Sequence, residues 1–191
     1  MITALVAMLV LAGAGCGSSE SKDSNDSAGD TTAGDTTTTE TSVSKPEFIA
    51  AADKVCSQLG RDTDGLIKRM GAVQASYPDA ADETALDKRV RAVARLLRRF
   101  EERFRAGTEE LASLRGPDDS TLTKYLEGRE AYADTVARLA AAQAAFADAT
   151  ANDQAEANKA IVSADKAGDR TLARLQRLAR EYGFKTCHRE T

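Results

Sequence analysis

DETALDKRVRAVARLLRRFEERFRAGTEELASL, residues 82–114, is the stretch from which the fold follows. Leu86, Val90, Val93, Leu97, Phe100, Phe104, Thr108 and Leu111 recur in it at steps of three and four, which gathers them into one stripe of an α-helix. A stripe of that length needs other helices to cover it. Gly116-Pro117 stops the pattern, since proline cannot continue a helix and glycine suits its end.

The flanking segments have the same character. Upstream, Ser44 and Glu47 have the spacing of a capping box. Phe48, Ala52, Val55, Leu59, Thr63, Leu66, Met70 and Val73 then share one face of a first helix that ends before Pro78. Downstream, a third helix starts near Ser120, buries Leu122, Tyr125, Tyr132, Val136, Leu139 and Phe146, and gives way at Ala151-Asn152-Asp153. A fourth opens with a second box, Asp153 and Glu156, carries Ile161, Ala164, Leu172, Leu175 and Leu178, and closes at Gly183 in a left-handed cap. Four helices of about thirty residues, each about 45 Å long and joined by short connections, predict an all-α domain over residues 46–191. Its expected form is an antiparallel up-down-up-down four-helix bundle. The run Ala140-Ala141-Ala142 and its alanine-rich surroundings predict a thin core in the third and fourth helices.

Of the three cysteines, Cys56 lies on the first helix and Cys187 just past the fourth, and such a bundle brings those two places to the same end. A disulfide between Cys56 and Cys187 is therefore expected to join the first helix to the C-terminal tail. The tail must turn at Gly183 and climb back along the first helix, with Phe184 covering that end of the core.

Cys16 closes an apolar run, residues 2–14, that has the length of a signal-peptide core and is too short to span a bilayer. Gly13-Ala14-Gly15-Cys16 resembles a bacterial lipobox, which implies a signal peptide over residues 1–15 and a diacylglycerol on Cys16 as the new N-terminus. Gly13 stands where that motif favours leucine, and no Lys or Arg precedes the run. The competing reading is an ordinary secretory signal with an incidental cysteine. Residues 16–45 are rich in Ser, Thr and Asp and too poor in apolar side chains to offset the entropy of ordering, so a disordered tether is expected. Glu20, Asp23, Asp26, Asp30, Asp35 and Glu40 against Lys22 and Lys45 account for the whole net charge of −4, which leaves the helical domain neutral.

Catalytic chemistry finds little footing. The single histidine, His188, and the lack of any Glu-x-x-His pair exclude a ferritin-type metal site, and two cysteines placed to pair with each other build no zinc site. Cys187-His188 ends a haem-attachment signature whose first cysteine is replaced by Phe184. For a noncovalent haem, Met70 and His188 are the axial candidates, and they fall at opposite ends of the bundle. No cofactor is expected. With no Gly-x-Ser-x-Gly turn, P-loop or dinucleotide fingerprint, the chain reads as non-enzymatic. An exported, neutral domain without a basic aromatic platform is not expected to bind nucleic acid.

Two features carry binding potential. Lys88, Arg91, Arg95, Arg98 and Arg105 follow three-four spacing along one flank of the second helix, which suits anionic lipid, an anionic envelope polymer or an acidic partner protein. The competing reading pairs them with acids of neighbouring helices, such as Asp62, Asp64, Glu127 and Asp134. Tyr125, Arg129 and Tyr132 share the inward stripe of the third helix, and a guanidinium among tyrosines, with space left by Gly107, suits an anion inside the bundle. The alternative is an arginine that reaches the rim or a carboxylate.

The whole chain, from Cys16-Gly17-Ser18-Ser19 through the tether to Ala52, Asp53 and Cys56 and then Tyr182, Gly183, Phe184 and Cys187, resembles the small helical lipoproteins of actinobacteria. The resemblance implies an exported protein, lipid-anchored to the outer face of the cytoplasmic membrane. Two functions stay open: a non-enzymatic binding module of the cell envelope, and a carrier of haem or another small ligand inside the bundle.

Overall fold

The computed structural model describes residues 43–76 and 83–188. Cys16, the expected signal segment and almost all of the expected tether lie outside them. The described residues form α1 (Lys45–Ala75), α2 (Glu83–Ser113), α3 (Ser120–Asp148) and α4 (Gln154–Tyr182), with no strand among them. Short links at 114–119 and 149–153 fold successive helices back on one another, which produces the expected antiparallel bundle.

The helix ends show which local signals acted. At α1 the Ser44 amide donates to Glu47 Oε2 at 3.2 Å and its hydroxyl to the same oxygen at 2.6 Å, with Pro46 in the first turn. These bonds, the hydroxyl's first, hold the Glu47 carboxyl below its usual range. Asp119 caps α3 by accepting from the amides of Thr121 (2.7 Å) and Leu122 (3.4 Å). At α4 the second capping box does not form. Asp153 is helical in backbone, and its carboxylate accepts from the Thr150 hydroxyl at 2.6 Å instead of from a helix amide. Gly183 ends α4 at φ 103°, where its amide and that of Phe184 both reach the Ala179 carbonyl.

Two cores of unequal size fill the bundle. The larger joins Phe48, Ala52, Val55, Leu59 and Leu66 of α1 to Phe100, Phe104 and Leu111 of α2, Tyr125 and Val136 of α3, and Leu175 and Leu178 of α4. The smaller joins Val90, Phe146, Ala147 and Ile161, with Leu139 and Ala142 beside them, and takes nothing from α1. Met70 and Val73, expected on the buried face of α1, are only partly buried. The alanine-rich ends of α3 and α4 therefore hold the thin core that their composition predicts.

The backbones of α1 and α2, α2 and α3, and α3 and α4 approach closely, whereas no Cα of α1 comes within 8 Å of one in α4. Side chains and the tail occupy that wider seam. Phe48 meets Tyr182 edge-on at 6.0 Å between ring centroids, and the Lys45 ammonium stands 4.1 Å above the Tyr182 ring. Phe184, 3% exposed, packs against Tyr182 at 4.7 Å and Tyr125 at 4.9 Å.

The tail is bound to α1 twice. Cys56 and Cys187 form the expected disulfide, which closes 131 residues of sequence and contributes about 5 kcal/mol in the chain-entropy picture. One turn earlier on α1, Asp53 accepts from the amides of Lys185 (3.0 Å) and Thr186 (2.8 Å) and from the Thr186 hydroxyl (2.9 Å), which also donates to the Asp53 carbonyl at 2.8 Å. Asp53→Ala is expected to cost about 1–3 kcal/mol in the oxidised protein, read from a lower denaturant midpoint. Hydrogen exchange at the amides of residues 185 and 186 should quicken while the helices keep their protection. Unchanged exchange there would show that the disulfide alone holds the tail.

Candidate functional site

The five residues of the α2 basic flank do not behave alike. Arg91 bridges to α3, where its Nη2 lies 2.7 Å from Asp148 Oδ1 and donates to the Ala147 carbonyl at 3.0 Å. Arg105 also bridges to α3, bonding Asp134 Oδ1 at 2.7 Å as well as Glu101 on its own helix. Those bonds, Asp134's first, raise the pKa of Arg105 above its ordinary value. Lys88, Arg95 and Arg98 are exposed and form no ion pair among the described residues. Two of the five are thus tied to a neighbouring helix, and three face solvent.

Tyr125 and Arg129 lie inside the larger core, and Tyr132 packs against it, partly buried. Arg129 is 0% exposed and does not reach the rim. Its Nε donates to Thr108 Oγ1 at 3.0 Å, its Nη1 donates to the Tyr125 hydroxyl at 3.0 Å and lies 3.8 Å from Cys56 Sγ, and its Cζ stands 4.4 Å over the Phe104 ring. Neutral polar groups and an aromatic face thus replace much of the hydration lost on burial. Tyr132 packs edge-on against Phe104 at 5.1 Å, and burial, with the Asp169 carboxylate adding to it, pushes its phenol up to about 12.

The space expected beside Gly107 is taken by protein. A Cβ there would sit 2.9 Å from Leu59 Cδ2, so the missing side chain admits Leu59 and not a ligand. Met70 lies fourteen residues up α1 from Cys56, about 20 Å along the axis, whereas His188 follows the Cys187 bonded to Cys56. These two cannot be axial ligands of one iron. Among the described residues no three His, Cys, Asp or Glu side chains converge as metal ligands.

A further group of charges emerges only in the fold. Asp62, Gly65, Leu66 and Arg69 of α1 face Arg99, Glu102 and Arg103 of α2 across a hollow of about 390 Å³. Arg99 and Arg103 project toward α1, on the opposite side of the α2 stripe from Arg91 and Arg105. Their i, i+4 spacing is visible in the sequence, but joining them to Arg69 requires the α1–α2 register, which the packing of Leu59 against Gly107 defines.

The buried network makes a specific demand on stability. Tyr125→Phe and Thr108→Val are each expected to cost about 1.5–3 kcal/mol in denaturant unfolding, because each removes an acceptor from a buried guanidinium N–H. Thr63→Val should cost less than about 1 kcal/mol, since the Thr63 hydroxyl bonds only carbonyls of its own helix. Equal losses at all three positions would show that the guanidinium bonds add nothing. No protein-family model, curated protein or solved structure matches this chain.

Proposed function

We propose that this protein is an exported lipoprotein, a non-enzymatic binding module of the cell envelope. Cys16 carries the diacylglycerol, residues 16–45 form the tether, and the bundle stands off the outer face of the cytoplasmic membrane. The exposed basic side of α2 is its contact surface for an anionic polymer or an acidic envelope protein. One observation carries this reading: Lys88, Arg95 and Arg98 face solvent without an ion pair among the described residues, whereas Arg91 and Arg105 of the same flank are engaged by α3. Charges left in solvent on a rigid helix attract an anionic partner at little cost in protein stability. The disulfide suits an exported location.

The anchor is tested by fractionation. Intact mass of the native protein should show diacylglycerol on Cys16, and Cys16→Ala should move the protein from the membrane to the soluble fraction. A mature N-terminus elsewhere would overturn the lipoprotein assignment.

The contact surface is tested by replacing Lys88, Arg95 and Arg98 together with Gln. Glutamine is a good helix former, so the circular dichroism spectrum and melting temperature should be nearly unchanged. Salt-sensitive retention on anionic envelope polymer should weaken by about tenfold or more, equivalent to about 1.4 kcal/mol. A variant that loses stability and binds as before would return these residues to a purely structural role.

A further inference from the structure

We infer that the hollow between α1 and α2 is a binding site for a phosphodiester, held by Arg69, Arg99 and Arg103. The inference deepens the binding-module reading and rests on it only for the source of the diester, an envelope polymer. Three guanidiniums and two carboxylates, those of Asp62 and Glu102, line the hollow, yet no two of them form an ion pair among the described residues. Arg91 and Arg105 reach Asp148 and Asp134 of α3, whereas Arg69, Arg99 and Arg103, like Arg95 and Arg98, form no ion pair among the described residues. Here opposite charges share a wall and stay apart around open space. That space, about 390 Å³, is open to solvent and lined mainly by charged side chains, with Leu66 as its apolar floor.

The chemistry of the lining selects the ligand. Guanidinium forks match phosphate oxygens in pairs, and three of them from two helices can grip one phosphate from both sides. Asp62 is partly committed already, since the Gln58 side-chain amide donates to it at 2.8 Å. Three positive groups against two negative ones leave a single net positive charge, which a monoanionic diester neutralises. A dianionic monoester would overshoot it and crowd the two carboxylates. A Cβ built on Gly65 meets no atom within 4 Å, so the wall has room for a side chain at this position.

Gly65 also supplies a blocking variant. Gly65→Leu places a bulky apolar side chain in the wall of the hollow without removing a charge and raises helix propensity, so its failure to bind would not reflect unfolding. The experiment is an NMR titration of the full chain with glycerophosphoglycerol. Saturable shifts are expected at the Gly65 amide and the Arg99 and Arg103 side chains, with affinity reduced tenfold or more in Arg99→Gln/Arg103→Gln and abolished in Gly65→Leu. Arg170→Gln/Arg174→Gln on α4, an equal loss of charge, should bind as the parent does. Inorganic phosphate should bind more weakly than the diester. Non-saturable shifts, equal loss in the α4 control, or parental binding by Gly65→Leu would overturn the site.

Two further arms identify the source. Retention of the protein on poly(glycerol phosphate) that falls in Gly65→Leu supports a polymer, and loss confined to phosphatidylglycerol vesicles assigns the same diester to a lipid headgroup. Saturation by the small diester without retention on any polymer would refute the binding-module reading and leave the site standing. Polymer retention indifferent to Gly65→Leu would refute the site and leave that reading standing.

Discussion

Attachment of residues 184–187 to α1 is the constraint on which the bundle depends. The Cα atoms of α1 and α4 stay more than 8 Å apart along their whole lengths, so these two helices meet only through side chains such as Phe48 and Lys45 against Tyr182. Closure comes from the Cys56–Cys187 bond, the Asp53 carboxylate that binds two tail amides, and Phe184 wedged among Phe48, Tyr125 and Tyr182. Without them α1 would have close backbone packing against α2 alone. A helix held on one side exposes much of its apolar stripe each time it swings outward, and the covalent bond limits that swing whatever the momentary state of the hydrogen bonds.

Arg129 extends the same constraint into the core. Burying a guanidinium costs several kcal/mol unless hydrogen bonds and favourable electrostatics offset it, and here the compensating groups come from three helices. Thr108 belongs to α2, Tyr125 to α3's own preceding turn, and Cys56 to α1. A slip of α3 by one turn would carry Arg129 about 5.4 Å away from Thr108 and leave its Nε facing apolar side chains. One costly residue thereby ties the register of three helices. At the far end, where alanines prevail, the core holds no comparable lock.

Helix number, order and the disulfide were legible because they rest on periodicity and on the length of a helix, which act locally. Both the turn at Gly183 and the path of Phe184 follow from the same arithmetic once Cys56 is placed a few turns up α1. Less was legible wherever a residue chooses between local and distant partners. Asp153 has the spacing of a capping box but accepts from the Thr150 hydroxyl, whereas Asp119, followed three residues on by Leu122 and so without a box, caps α3. Asp53 was visible as a neighbour of Cys56, but its use by tail amides more than 130 residues away was not. The basic flank of α2 was one row in sequence and became two groups in space, because Asp148 and Asp134 reach only Arg91 and Arg105. Arg69, Arg99 and Arg103 form a group only once two helices are set in register.

The Cys56–Cys187 bond also makes residues 56–187 a covalent ring. A pull applied between Ser44 and His188 enters through the first turns of α1, crosses the sulfur bridge and leaves by the tail. No tension passes along α2, α3 or α4. Only residues 45–55 can be drawn out, about 40 Å of extended chain, before the load meets a covalent bond. Stretched between its two ends, the domain yields a short, fixed length and then holds, so the surfaces of α2, α3 and α4 keep their shape under a force that would unravel an unstapled bundle helix by helix.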